Sequence, residues 1–243
     1  MPYVLSRFGF NDMMECRGRI RDLFDDDPPT LEDAAERAVE FFRSELVDEE
    51  GFPACALVRF FKTHPYRDLP EELQDVVRAA SPEAPAVPDL RCLTLVATRG
   101  DEPAWNSRLT SRAHRAIPLM SVEMVQQAPM IAQLITQLGL PIANVVRPAR
   151  ALLLDQEQTA HNVFYVPHAL GSPHIVAQEE FVARYGIQSV LGFGGLLSGD
   201  LFATIMFSKV AIPPDAAEQF RVLGLNLKIA ILPFARRPLF RGE

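Results

Sequence analysis

Two apolar runs near the C-terminal end, separated by one short turn, constrain the fold more than any other part of the sequence. Residues 187–197 and 201–209 are rich in residues that favour β-strands, and Ser198-Gly199-Asp200 lies between them. Two such runs joined by a short glycine-containing turn predict a β-hairpin. A helix is predicted over residues 215–232, because two prolines and an aspartate directly before it are typical of a helix start.

This predicted final helix has two apolar faces. The first consists of Phe220, Leu223, Leu227 and Ile231, and the second of Val222, Leu225, Ile229 and Leu232. A helix on the surface of a monomer needs only one apolar face to pack on its own core. The second face predicts a homodimer in which the helix meets its copy, with burial on both sides within one chain as the alternative.

Hydrophobic periodicity predicts the other elements. Helices are predicted over 11–24, 31–47 and 70–80, strands over 54–62 and 90–98, and a helical region over 121–138 with an interruption at Pro129. The short apolar segments 142–146 and 150–154 are predicted to be strands, and residues 155–180 a long loop with a short helix over 177–184. Long loops in compact domains are often functional.

The composition limits the class of protein. Hydrophobic residues make up 48% of the 243 residues, which predicts a folded chain, and the net charge of -7 without a clustered basic patch disfavours nucleic-acid or membrane binding. Three cysteines at wide spacings do not form a disulfide framework, so a reducing cytoplasm is expected. Two charged runs are interpreted as solvated: Asp25-Asp26-Asp27, and the C-terminal Arg236, Arg237 and Arg241.

The glycine-rich stretch within the first strand of the hairpin, Gly192-Phe193-Gly194-Gly195, is a candidate for a special backbone role. It is not a phosphate-binding loop, because it lacks the Gly-Lys-Ser/Thr ending and does not precede a helix. A bulge is the favoured interpretation, and close approach of a ligand or a second backbone is the alternative.

The order of these elements resembles the GAF domain, as found in sensory segments ahead of bacterial histidine kinases. The resemblance is carried by residues 185–191 and 201–208, the stretches 60–66 and 191–196, and the helices that begin at Thr30 and Asp215. It implies an α/β (α+β) fold with a GAF/PAS-like central antiparallel sheet and flanking helices, the opening and closing helices packing together on one face. We divide the chain into an N-terminal helical arm, residues 1–29, and a GAF-like domain, residues 30–243.

The resemblance also implies a function. It predicts a domain that binds a small-molecule ligand and acts in bacterial signal transduction through a dimer or through a partner such as a histidine kinase. An enzyme is not expected, since no serine lies in a Gly-x-Ser-x-Gly elbow and no cysteine has a recognisable histidine partner. The alternatives are a haem- or metal-binding sensor that uses a loop histidine, and a ligand-free dimerisation scaffold. The cofactor is left open.

In GAF-type folds the ligand lies between the sheet and loops that correspond here to residues 105–120 and 155–180. The histidines of these loops are the candidate ligand residues, with a structural or solvated role as the alternative: His114, His161, His168 and His174. Trp105 and Arg108 either line the ligand site or anchor a loop, and Tyr165 has the same two interpretations. Arg59 either covers apolar surface with its stem or binds an anion at the bottom of a pocket.

Overall fold

The computed structural model describes residues 2–87, 89–148 and 162–242. The strand predicted at 150–154 and the first part of the predicted long loop, including His161, lie outside the described residues.

The described residues form α-helices, β-strands and short 3-10 helices. The helices are α1 (Phe10–Asp22), α2 (Leu31–Glu45), α3 (Glu71–Ala80), α4 (Val122–Gln126), α5 (Pro129–Gln137), α6 (Ile142–Val146) and α7 (Pro214–Ile231). The strands are β1 (Tyr3–Val4), β2 (Leu46–Val47), β3 (Cys55–Pro65), β4 (Arg91–Gly100), β5 (Ala116–Pro118), β6 (Val163–Val166), β7 (Ser189–Leu197) and β8 (Asp200–Ser208). A π-helical turn, Gln178–Ala183, lies within the helix predicted at 177–184.

Six strands form one sheet in the order β5-β4-β3-β8-β7-β6, and every neighbouring pair is antiparallel. The predicted fold class, a central antiparallel sheet with flanking helices, is confirmed. The centre of the sheet is β3 next to β8, and both strands are buried over nearly their whole length. A central strand that is buried on both faces reads as a continuous apolar run, which explains why both were visible in the sequence.

The predicted hairpin is confirmed, and its register runs without a shift from Ser189 opposite Ser208 to Leu197 opposite Asp200. The bulge predicted for its glycines is therefore wrong. A Cβ on Gly194 would lie 2.1 Å from the carbonyl oxygen of Phe202 on the neighbouring strand. Glycine is required here because the two backbones approach too closely for a side chain.

One face of the sheet, which we call the helix face, is covered by α2 and α7, and α1 packs on α7. Aromatic rings connect these layers: the Phe193 ring of β7 lies 5.0 Å from Phe42 of α2 and 5.5 Å from Phe220 of α7. Phe8, just before α1, lies 5.0 Å from Phe220. These offset rings give the helix face a continuous apolar core.

Helix α7 buries the first of its two predicted apolar faces, and the second is largely exposed. Phe220, Leu223, Leu227 and Ile231 are fully buried. Val222, Ile229 and Leu232 are exposed, and Leu225 is half-buried. Within the described residues, no helix combines the length and the apolar character that crossing a membrane would require.

The opposite face, which we call the loop face, is covered by α4, α5, α6 and the chain that follows β6. Leu134 and Ile135 of α5 and Val182 of the π-helical turn pack there in one apolar cluster with Ile205 and Phe207 of β8. Short helices and turns therefore replace the long helices of the other face.

Several predicted elements need correction. Residues 142–146 form a helix and not a strand, since a short apolar run does not distinguish a buried strand from a single buried helical turn. The predicted long loop contains β6, a four-residue strand at the edge of the sheet. The pairs β1–β2 and β4–β5 were not predicted, because strands of two or three residues have too few positions to show a period.

Both charged runs that were interpreted as solvated are largely exposed, and they also form ion pairs on the surface that the sequence did not predict. Asp26 pairs with Arg37, and Asp27 pairs with Arg237 at 2.6 Å. Arg241 pairs with Asp33 at 2.6 Å and also with Glu36. The acidic run and the C-terminal segment are thus attached to α2 and to each other, which sequence separation alone concealed.

The division into an arm and a domain stays a prediction. Helix α1 of the proposed arm contributes Met13, Cys16 and Ile20 to the same apolar cluster as the helix face of the sheet.

Candidate ligand site on the loop face

Arg59 is a buried cation at the centre of the sheet. It lies in the middle of β3, opposite Thr98 of β4 on one side and Ile205 of β8 on the other. Residues directly opposite each other in antiparallel strands point to the same face. Because Ile205 belongs to the apolar cluster of the loop face, Arg59 points to that face too, although only 7% of it is exposed.

The guanidinium of Arg59 is under-compensated. Its Nη2 donates to the Ser111 hydroxyl at 3.1 Å, and its Nε has no hydrogen-bond partner in the described chain. No described carboxylate is paired with it, in contrast to Lys62 of the same strand, which pairs with Asp200. The hydroxyl of Thr98 is likewise buried and without a partner among the described residues. Buried polar groups of native proteins are usually hydrogen-bonded to protein or to ordered water, so these two atoms have capacity for a further partner.

The electrostatics follow from this burial. Desolvation lowers the pKa of Arg59 to about 10, so the group stays charged at neutral pH despite the cost. His114, in the same loop as Ser111, has its pKa lowered by the surrounding protein and further by the positive charge of Arg59. Its ring is accessible, and its backbone is left-handed at φ 61°. The site therefore carries the positive charge of Arg59, with which no described carboxylate is paired.

The turn that carries Ser111 closes over Arg59. The Ser111 N–H donates to the Ser107 carbonyl at 3.0 Å, and the Thr110 hydroxyl donates to the carbonyls of Ala104 and Ser107 at 3.0 Å and 3.2 Å. Ser111 is buried, whereas Leu109 and Thr110 at the tip are exposed. The only described hydrogen bond of the Arg59 side chain thus comes from a surface turn and not from the rigid sheet.

Trp105 is placed away from Arg59, in an aromatic cluster. Its ring lies 4.6 Å from Tyr185 and 5.7 Å from Phe181, and Phe181 lies 4.9 Å from Phe207 of β8. The Tyr185 hydroxyl donates to Glu102 at 3.0 Å. This geometry matches the loop-anchor interpretation of Trp105, because the cluster joins the loop after β4 to the π-helical turn.

Arg108 is held by carboxylates. Its Nε donates to Glu32 at 2.7 Å, its Nη1 donates to Glu72 at 2.8 Å, and its guanidinium lies 3.6 Å above the Phe240 ring. Two carboxylates and an aromatic face compensate the charge of Arg108 within the chain. Arg108 therefore connects elements of this chain, and its role as a direct ligand residue stays a prediction.

The remaining predicted site residues do not converge on Arg59. Tyr165 packs against the cluster of the helix face, and its hydroxyl donates to the Ile212 carbonyl. His168 is exposed and His174 half-buried in the chain after β6, and His161 lies outside the described residues. No described hydrogen bond joins any two of these histidines, and the described residues contain no group of three side chains arranged to hold a metal. The haem or metal alternative stays a prediction.

Sequence reasoning missed Ser111 and Thr98. A single serine or threonine in a loop or strand carries no periodic signal, and only the register of β3 and β4 brings Thr98 beside Arg59. The alternation around Arg59, a charged residue between large apolar neighbours in a predicted central strand, was the one signal that pointed to the site.

A groove of about 550 Å³ lies elsewhere, between α1 and α2. The charges that line it are paired with one another: Arg19 with Glu45, Arg99 with Glu40, and Arg241 with Asp33 and Glu36. Since its cations already have carboxylate partners, this groove is a weaker candidate for an anionic ligand than the surroundings of Arg59.

No protein-family model matches the sequence, and no curated protein matches it either. Solved structures that resemble the chain are GAF domains. One from a phosphoenolpyruvate-protein phosphotransferase of Coxiella burnetii shares 12% identity at a TM-score of 0.44, with 90% of this chain and 92% of that chain covered. The phycoerythrobilin-bound GAF domain of a cyanobacterial phytochrome shares 14% identity at a TM-score of 0.44, covering 90% and 94%. The phycocyanobilin-bound GAF domain of a cyanobacterial phytochrome shares 13% at a TM-score of 0.42, covering 91% and 94%.

Proposed function

We propose that this chain is a small-molecule-binding sensory domain of bacterial signal transduction, and that its ligand carries an anionic group that binds Arg59. The observation that carries the proposal is the buried guanidinium of Arg59 without a described carboxylate partner. The sheet face on which it lies is the one covered by loops and short helices.

An anionic ligand would compensate the buried charge of Arg59. Removing an ionised group from water costs several kcal/mol after relaxation, and one hydrogen bond to a neutral serine returns only about 1–3 kcal/mol. A carboxylate or phosphate would accept from Nη2 and Nε together, in the paired geometry that a guanidinium favours. The hydroxyl of Thr98 would donate to the same anion. We place Arg59, Thr98, Ser111 and His114 at the site, with Trp105 fixing the neighbouring loop.

The output of the sensor would pass through a dimer or a partner protein such as a histidine kinase. The exposed stripe on α7 supports this step, because Ile229 is 61% exposed and Val222 and Leu232 lie on the same side of the helix. A second copy of α7 packed on this stripe would give the homodimer that the sequence predicts. A shift of α7 in one protomer would then change the contact with α7 of the other protomer.

A regulatory role is proposed in preference to a catalytic one, in a reducing cytoplasm. Burial raises the pKa of Cys16, Cys55 and Cys92 to about 12, so these thiols are protonated and poorly nucleophilic at neutral pH. All three behave as small apolar side chains of the core.

Native mass spectrometry of the purified protein tests the proposal, because it reports a co-purified ligand and the number of protomers together. The wild-type protein is compared with Arg59→Met, which keeps the apolar stem and removes the charge. We expect native mass spectrometry to show a bound anion in the wild type and none in Arg59→Met. In a separate titration, acetate should raise the Tm of the wild type alone, relative to chloride at equal ionic strength. An identical response of both proteins to acetate, with no ligand in either, would favour the ligand-free scaffold.

A further inference from the structure

The turn of residues 107–111 contacts two different parts of the molecule, the sheet through Ser111 and helix α2 through Arg108. Ser111 at its end accepts from Arg59 at 3.1 Å, and Arg108 near its start pairs with Glu32 at 2.7 Å on the far side. The hydrogen bond from the Ser111 N–H to the Ser107 carbonyl closes the turn between these two contacts. A backbone movement of Ser111 therefore either breaks this hydrogen bond or moves the backbone that carries Arg108.

Arg108 is also the support of the C-terminal segment, residues 235–242. Its guanidinium covers the ring of Phe240, which is 1% exposed. Glu32 uses its other oxygen to accept the Arg241 N–H at 3.0 Å. The carbonyls of Pro238 and Leu239 accept from the first two N–H groups of α2, each at 3.0 Å.

The segment thus replaces water at the start of α2. The N–H groups at the beginning of a helix have no acceptor within the helix. Here the C-terminal segment supplies two carbonyl acceptors for them. The ion pairs of Arg237 with Asp27 and of Arg241 with Asp33 attach the two ends of this segment on the surface, where such pairs contribute little. The contact between Arg108, Glu32 and Phe240 is the buried part of the attachment, with the Arg108 and Glu32 side chains 10% and 7% exposed.

We propose that the 107–111 turn couples the Arg59 ligand site to the C-terminal segment, so that an anion bound at Arg59 loosens the docking of residues 235–242. The identity of the ligand as an anion rests on the proposed function. The coupling between Ser111 and Arg108 rests on the contacts of the turn alone. Nη2 carries two N–H groups, and in this coupling the anion takes the one that now binds the Ser111 hydroxyl. The displaced hydroxyl then lets the turn shift and carry Arg108 away from Glu32 and Phe240. The anion favours the shifted state only to the extent that it binds Arg59 more tightly once Ser111 has left.

Hydrogen exchange of backbone amides tests the coupling, because the amides of Leu31, Glu32 and Arg241 are hydrogen-bonded only while the segment is docked. The proteins compared are the wild type, Ser111→Ala, Arg108→Gln and the control Ser172→Ala, which removes a hydroxyl from the separate loop that follows β6. We expect Ser111→Ala to accelerate exchange at these three amides by about fivefold or more without any ligand, and Arg108→Gln by at least as much. Ser172→Ala keeps the wild-type rates.

A second arm uses acetate as the anion, with chloride at equal ionic strength as the reference. Acetate is expected to accelerate exchange at the same amides in the wild type, and to have no further effect in Arg108→Gln. If Ser111→Ala leaves these amides at wild-type rates while its Tm shows a folded protein, the coupling is wrong whatever binds at Arg59. If Ser111→Ala accelerates exchange but acetate neither binds nor changes the wild type, the coupling holds and the proposed acetate-type ligand is the part that fails.

Discussion

Two buried cations of strand β3 show how differently the two faces of the sheet are built. Lys62, on the helix face, is 3% exposed and donates to Asp200 at 2.9 Å, and Arg91 pairs with the same carboxylate at 2.6 Å. Arg59, three residues earlier and on the loop face, is 7% exposed, and among the described residues its side chain donates only to the Ser111 hydroxyl. The fold compensates the charge of Lys62 with a carboxylate, whereas no described carboxylate is paired with Arg59.

The two faces also differ in how completely they bury their apolar side chains, and the helix face buries them more completely. The helix face packs three long helices and rings from Phe8, Phe42, Phe193 and Phe220 into one cluster. The loop face packs short helices, a π-helical turn and a surface turn, with Trp105 and Tyr185 only half-buried. Stability is concentrated where burial is complete, and ligand-dependent movement is expected where it is not.

The largest expected effect comes from removing a ring on the helix face. Phe193→Ala deletes a fully buried side chain that contacts rings of α2 and α7, and we expect the free energy of unfolding to fall by about 3–5 kcal/mol. Trp105→Ala is the matched change on the loop face and should cost less, since its ring is half-buried. Urea unfolding of both proteins measures the difference, and equal losses would mean that the two faces contribute alike.

The helix face was also the part of the fold that could be predicted from sequence. The buried stripe of α7 and the two hairpin strands are long periodic patterns, and Thr30 caps α2 by accepting from the Asp33 N–H, as its position before the apolar stripe suggests. The loop face has few such patterns. Strand β6 has four residues and α6 has five, so neither is long enough for the spacing of its apolar residues to distinguish a strand from a helix.

Of the residues proposed for the candidate site, Arg59 and His114 were predicted from the sequence, and Ser111 and Thr98 were not. The position of Arg59 inside a strand pattern marked it as exceptional, whereas Ser111 reaches it across 52 positions of sequence. Arg108 shows the reverse case: its neighbours in sequence suggested a ligand residue, but its partners Glu32 and Glu72 come from α2 and α3. Long-range partners of single polar residues leave no local pattern, and this explains the difference between the two arginines.

A second prediction tests the compensated cation. Asp200→Asn keeps the shape of the side chain and removes the charge that Lys62 and Arg91 share. Leaving Lys62 buried without a counter-charge should lower the free energy of unfolding by about 3 kcal/mol. Urea unfolding at neutral pH measures it. If Asp200→Asn lowers the free energy of unfolding by less than an ordinary surface substitution does, the carboxylate of Asp200 does not stabilise the buried charge of Lys62, and the contrast between the two faces is wrong.

The third prediction has the opposite sign. In protein freed of small anions by dialysis, Arg59→Met removes an uncompensated buried charge and keeps an apolar stem, so we expect the free energy of unfolding to rise by about 1–2 kcal/mol. Saturating acetate should reverse the order of the two proteins, because only the wild type gains stability from a bound anion. A destabilised Arg59→Met protein in the absence of anions would indicate that the fold itself compensates Arg59.

The smallest effect is a difference in pH dependence between a histidine on each face. Burial, and then the charge of Lys62 whose Nζ lies 3.4 Å from its Nε2, lowers the pKa of His64 well below its usual value. Because the unfolded chain then binds a proton that the folded chain refuses, His64 contributes stability above a pH of about 6.5 that is lost as the pH falls, by up to about 1.4 kcal/mol per pH unit.

His114 on the loop face has a lowered pKa as well, but its ring is accessible to solvent, and its contribution to the same slope should be smaller. The unfolding free energy measured between about pH 5 and 6.5 should therefore depend less steeply on pH in His64→Gln than in His114→Gln, since both variants keep a polar side chain. Equal slopes in the two variants would show that desolvation is as strong under the loops as under the helices. That result would weaken the contrast between Lys62 and Arg59, because the loop face would then exclude water as completely as the helix face does.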